Sequence, residues 1–181
     1  MKKLLIAIML LALPLAATTV TPMSIERLTQ ASTHVVMGQA GESWSEWNPQ
    51  HTQIFTYTRF QVSKTLKGSS ASSMVVKQMG GRADGYEQKV AGVRQLQSGE
   101  HAVLFVHPSQ TADGTMVVTG LMQGNFHVIE SSKGETTVSN DVVGVNQYSP
   151  ENGTMQHYSG ARMPLQKLEV LVRSAAQRSQ Q

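Results

Sequence analysis

Apolar and polar residues alternate most clearly between Gln53 and Gly68, in the run QIFTYTRFQVSKTLKG. Ile54, Thr56, Thr58, Phe60 and Val62 fall on one face and Phe55, Tyr57, Arg59, Gln61 and Ser63 on the other, the period of two expected of a strand with one buried side. The run stops at Lys67-Gly68 and predicts the central strand of a β-barrel. Its second face is not plainly made for water. Phe55, Tyr57 and Arg59 there are either covered by a terminal helix or exposed as a binding surface, and the burial of Tyr57 and Arg59 decides between the two.

The flanking pattern supplies the other elements. Two helix starts precede the first strand: Thr21 as N-cap with Pro22 at the first helical position, or Ser24 as N-cap with Glu26 in the first turn. Ile25, Leu28 and Ala31 then share one face. His34 to Ala40 reads as a strand interrupted by Gly38, a sign of a bulge or bend. Glu42 to Thr52 shows no period and is expected to be a long hairpin loop carrying Trp44 and Trp47.

After the small polar turn Lys67 to Ser73, Met74 to Met79 forms the third strand, ended by Gly80-Gly81. Arg82 to Glu100 reads as a long connection, with Val90, Val93 and Leu96 at the spacing of one helical turn. Glu100 to His107 is apolar at consecutive positions, the mark of burial on both faces. Asp113-Gly114 turns the chain into Thr115 to Leu121. Phe126 to Glu130 and Glu135 to Ser139 make a further hairpin. Asn140 to Arg162 is expected to be a surface excursion, with a turn at Asn152-Gly153 and a short strand at Val142 to Val145. Pro164 then opens a helix of about three turns whose stripe is Leu165, Leu168, Leu171, Val172 and Ala175. The fold class predicted is mainly β, a closed or partly open antiparallel barrel with an N-terminal and a C-terminal helix.

The first 17 residues stand apart from this pattern. Lys2 and Lys3, the apolar run Leu4 to Leu13 and the small residues up to Ala17 read as a signal peptide cleaved near Ala17, since ten apolar residues fall short of the roughly 20 that span a bilayer. Residues 18–181 are then a single domain, periplasmic or secreted, with no membrane contact after cleavage. Cleavage also changes the charge. Two lysines leave a total of 15 basic against 12 acidic residues, and the net charge of +3 falls to +1. Nucleic acid is therefore not an expected partner. The chain has no cysteine, which excludes thiolate zinc sites and thiol chemistry, and its length suffices for a core without disulfides.

Little in the chain points to catalysis. None of the histidines His34, His51, His101, His107, His127 and His157 stands at metal-ligand spacing from another, so no metal and no cofactor is expected. The serines lie in turns without a G-x-S-x-G elbow. Gly80-Gly81 and Gly120 to Gly124 precede no helix that could hold a phosphate. Glu100, at the entrance of the most buried strand, is read first as a carboxylate bonding the preceding loop. As an alternative it centres a glycan-binding or hydrolytic site with His101 and His107, although those two lie about 20 Å apart along the strand. The leading candidate is a binding surface of Trp44, Trp47, Tyr57 and Arg59, planar groups of the kind that dominate interfaces, the alternative being that Trp44 and Trp47 cover one end of the barrel.

The blocks SIERLTQASTHVVMGQA, IFTYTRFQVSKTLKG, VVKQMGG, SGEHAVLFV and VTGLMQGNFHV, from Ser24 to Val128, resemble a family of secreted bacterial proteins of unknown function. Where that family has Gly-x-Pro, this chain has Gly92-Val93-Arg94. The layout is also similar to the netrin-like domain of tissue inhibitors of metalloproteinases, an OB-type barrel flanked by helices. Those inhibitors chelate the protease zinc through an N-terminal cysteine that this chain lacks. The resemblance implies an OB-like, netrin-like barrel and an exported, non-enzymatic module that binds another exported protein, such as a secreted metalloprotease.

Overall fold

The computed structural model describes residues 19–132, 134–140, 146–149, 153–157 and 160–178. The leader, the short strand expected at Val142 to Val145 and Asn152 of the expected turn lie outside them. The described chain is mainly β. In order it forms β1 (Thr19–Val20), α1 (Ile25–Ala31), β2 (His34–Trp47), β3 (Ile54–Lys67), β4 (Ser73–Met79), β5 (Gly81–Ala83), β6 (Tyr86–Gln88) and β7 (His101–Pro108). It continues with β8 (Met116–Val118), β9 (Asn125–Glu130), β10 (Thr136–Ser139), β11 (Asn146–Ser149), β12 (Thr154–His157), β13 (Arg162–Pro164) and α2 (Leu165–Arg178).

Of the two possible starts of α1, the chain uses Ser24. Its hydroxyl accepts from the Arg27 amide, and Glu26 stands in the first turn, where a negative charge meets the helix dipole favourably. β2 and β3 are 14 residues each and pair antiparallel. Residues 42–47 are therefore strand and not the hairpin loop expected of them. The true turn spans residues 48–53, where the Asn48 side-chain carbonyl accepts from the Thr52 and Gln53 amides. At Gly38 the register shifts, and a Cβ there would run into the Gln61 carbonyl. The bend predicted from that glycine lets β2 serve two neighbours in different directions.

β3 pairs with β4 and β2 with β7, both antiparallel, and β8 then pairs antiparallel with β7 and parallel with β4. The result is a five-strand ring in the order β7-β2-β3-β4-β8, closed through the last of these pairs. That order of connection is OB-like. The closing seam is short, holding only Val76 opposite Met116 and Lys77 opposite Val117. The strand expected at Thr115 to Leu121 is confined to its first half. β9, β10 and β13 extend the sheet outward from β7. The stretch expected to be one long connection contains the β5–β6 hairpin, and no helical turn forms at Val90 to Leu96.

Two cores result. Inside the ring, Val36, Phe60, Val76, Leu104 and Val106 pack together, and Leu96 plugs one end from the irregular segment before β7. The Gln78 carboxamide holds that plug, accepting from the Leu96 amide at 3.1 Å and donating to the Arg94 carbonyl at 2.8 Å. On the outside, Val35, Leu66, Val103 and Phe105 are covered by Leu28 of α1, Phe126 and Val138 of the extension, and Leu168 and Val172 of α2. β7 thus buries both faces, as its unbroken apolar run requires. The end of β3 is fixed to this second core. Lys67 Nζ donates to the Thr29 and Ser32 carbonyls at the C-terminal end of α1, at 2.6 and 2.8 Å. Gly68 follows with φ +74°, where a Cβ would crowd the Thr33 carbonyl.

Candidate functional site

The helices and the extension cover only part of the ring's outer wall. On the remainder, β2, β3 and β4 present Trp44, Phe55, Tyr57, Arg59 and Lys77. The strand pairings align Trp44, Tyr57, Lys77, Val117 and His107 in one row across five strands. Residues opposite one another in a sheet share a face, so this row is a continuous outward strip. Of the two possibilities for the second face of β3, the uncovered one holds: Tyr57 is half-buried by its neighbours and the Arg59 side chain is 60 % exposed.

The strip is built from rings and cations. Trp44 and Tyr57 stack with centroids 5.6 Å apart and planes 14° from parallel. Arg59 lies over Trp44 at 5.5 Å and reaches Glu42 at 3.4 Å. Lys77 sits 4.5 Å above Phe55 and 5.6 Å from Tyr57. Each such contact contributes about 0.5–1 kcal/mol where water still reaches it. Together they hold the rings in fixed orientations before anything binds.

Lys77 is anchored from the far side by the loop between β7 and β8. Asp113 Oδ2 accepts from Lys77 Nζ at 2.9 Å and from the Thr111 hydroxyl at 2.7 Å. Asp113 Oδ1 accepts from the Thr115 amide and hydroxyl. The Thr115 and Thr111 hydroxyls, and then Lys77 and the Thr115 amide, hold the Asp113 carboxyl far below the usual carboxylate range against the opposing effect of burial. For Lys77, burial acts to lower the pKa, but Asp113 and Tyr57 outweigh it and the net shift is upward.

Of the four residues picked out in the sequence as a binding surface, the structure brings three together. Trp44, Tyr57 and Arg59 form one unit. Trp47 is three positions along β2 from Trp44 and falls on the opposite face, opposite Ile54. There it stacks on His51 at 5.8 Å and meets the edge of Tyr86 at 5.7 Å, closing one end of the ring. Phe55, named in the sequence with the second face of β3 but not among the four, joins Trp44, Tyr57 and Arg59 here, whereas Lys77 and the Asp113 network were missed. The signal available for Lys77 was a lone charge within the otherwise uncharged strand SMVVKQM.

The alternative site does not assemble. Glu100 accepts from Arg94 at 2.6 Å through one carboxylate oxygen and from the Gln97 amide at 3.0 Å through the other, and its side chain is 11 % exposed. It is the loop-bonding carboxylate of the simpler reading. His101 and His107 stand near opposite ends of β7. Among the described residues no group of three or more histidine, aspartate or glutamate side chains gathers in a way that could hold a metal ion. Among them, too, no helix is long and apolar enough to cross a membrane. The chain matches no protein-family model and no curated protein sequence.

Proposed function

We propose that this chain is an exported, non-enzymatic module that binds another exported protein through the uncovered wall of its ring. The observation that carries this reading is the Trp44–Tyr57 stack with Arg59 laid over it. Aromatic and arginine side chains supply most of the energy at protein interfaces, and these three are already ordered, so docking loses little side-chain entropy. Arg59 retains unused donors beyond its long contact to Glu42. A secreted metalloprotease is the first partner to test, on the strength of the netrin-like layout.

The test is a partner recovered from culture medium on the immobilised chain, purified, and titrated against wild type and variants. Trp44→Ala combined with Tyr57→Ala is expected to weaken binding at least 100-fold, the scale of an interface hot spot of about 3 kcal/mol. Trp47→Ala, on the other face, is expected to change it less than fivefold. Equal affinity in the double variant and wild type would remove this Trp44–Tyr57 shelf from the interface. Protease activity measured with and without the chain then reports whether binding restrains the enzyme. The alternative, an envelope glycan bound or hydrolysed around Glu100, His101 and His107, draws no support from a carboxylate already paired to Arg94 and two histidines held apart by one strand.

A further inference from the structure

Where the ring closes, its outer wall opens into a cavity of about 320 Å³, with Phe55, Met79, Val93, Val117 and Leu121 as its apolar lining. The short seam is its cause. β4 runs on to Met79, whereas β8 ends at Val118 and turns away through residues 119–124, so the two strands part after Lys77 and Val117. The space between them is left for an occupant. Its volume is at the small end of the range of ligand sites, enough for one ring system and little more.

Charges border this cavity, but none is free. Asp113 uses two acceptor positions on each oxygen, for Lys77, the Thr111 hydroxyl and the Thr115 amide and hydroxyl. Lys77 donates to Asp113 and Thr111 and lies against Phe55 and Tyr57. His107 Nδ1 is 3.0 Å from the Pro108 carbonyl, which can only accept, so Nδ1 is already engaged as a donor there. An anion would have to displace Asp113 from Lys77, and a cation the reverse. The cavity is complementary to a neutral group. The Met79 thioether and the Phe55 ring favour an aromatic one, since sulfur and ring edges both attract a π-system.

Leu121 supplies a second, independent observation. It has φ +61° and is 41 % exposed, although the left-handed region is unfavourable for a bulky residue and glycine would adopt it freely. Strain retained beside an open cavity points to a role for the side chain there. We propose that this cavity seats one neutral aromatic side chain of the bound protein, with Leu121 as its apolar lip. The site continues the shelf of Trp44 and Tyr57, and in naming the partner's anchor it rests on the binding reading above.

Indole as a stand-in for that side chain, and isopentanol as an aliphatic control, test this by amide chemical shifts of the purified exported chain. Indole is expected to give saturable shifts at Phe55, Lys77, Val117 and Leu121 with a Kd of about 1 mM, and isopentanol to bind at least fivefold more weakly. Val117→Trp, which fills the cavity, is expected to abolish the shifts. Leu121→Gly is expected to weaken indole several-fold while the melting temperature stays equal or rises, which keeps the test decisive should the tryptophan variant misfold. Unsaturable shifts, undiminished binding in Leu121→Gly, or isopentanol binding as tightly as indole would each overturn the assignment. Indole binding is expected to persist in Trp44→Ala/Tyr57→Ala, so a failed shelf and a failed cavity give different results.

Discussion

The two halves of the ring's outer wall are made by the same strands and are solved in opposite ways. Where α1, α2 and the extension lie over β2, β3 and β7, the wall consists of Val35, Leu66, Val103 and Phe105, all buried. Further along β2 and β3 it consists of Trp44, Phe55, Tyr57 and Arg59, which neither the two helices nor the extension covers. Aliphatic side chains are used where the chain supplies its own lid, and rings under cations where it does not. Water tolerates the second arrangement because each ring has a charged group laid across it. An uncovered aliphatic wall of this extent would invite aggregation.

The most severe way to test this contrast is to truncate one residue on each half. Phe105→Ala is expected to cost about 3–5 kcal/mol, because the ring is fully buried against Phe126 and the helices. Tyr57→Ala is expected to cost about 1 kcal/mol, from lost ring contacts at a half-buried site. Urea unfolding followed by circular dichroism gives both numbers. Equal costs would mean that the bare wall is structural, and the functional reading would lose its basis.

The covered half was far more legible in the sequence than the bare one. A fully buried strand and an amphipathic helix write themselves as apolar periods, so β7 and α2 were read within a residue or two. β3 was read to its last residue. The second half of β2 was not, because its inward positions are Ser43 and Ser45. Their hydroxyls meet those of Thr58 and Thr56 at 2.8 and 2.9 Å, which satisfies them inside the sheet but erases the apolar beat. A register shift between Ala40 and Ser43 then moves the phase as well. The shelf is not legible for the same reason: a loop over residues 42–52 makes Trp44 and Trp47 look like neighbours, and only a strand puts them on opposite faces. Lys67-Gly68 was legible as an ending and not as a clamp, because its partners are helix carbonyls that no local pattern encodes.

That clamp gives a second measurement, midway in size. Lys67→Met keeps the aliphatic stem and removes two charge-assisted bonds to the end of α1. A loss of about 1–3 kcal/mol is expected, with hydrogen exchange of α1 rising more than that of β4. Uniform loosening would show that the covered half does not depend on its lid. On the bare half the sign reverses. Leu121→Gly relieves about 1–2 kcal/mol of backbone strain and gives back part of it through a more flexible unfolded chain. Stability is expected to be unchanged or higher by up to about 1 kcal/mol, whereas the same kind of change at Leu66, in the covered core, can only destabilise.

The smallest effect expected is the dependence of the bare half on pH. Asp113 has its pKa depressed in the folded chain, so its contribution is complete above the ordinary aspartate value of about 3.9 and is lost as pH falls toward the lower folded value. Lys77 is shifted upward, so its contribution is complete below about 10.4 and is lost as pH rises through the higher folded value. The pair therefore supports the wall of the cavity across the whole range between. Asp113 is a third exposed and solvent screens it, which keeps the effect on global stability below about 1 kcal/mol. It is visible locally instead. Amide exchange, corrected for its intrinsic pH dependence, is expected to accelerate at residues 109–115 between pH 4 and pH 2.5 while β7 stays protected. Asp113→Asn is expected to show the faster exchange already at pH 6, with no further acid step. Acid loosening of β7 and this loop together would mean that the two halves of the wall share one cooperative unit, and the contrast between them would be of composition alone.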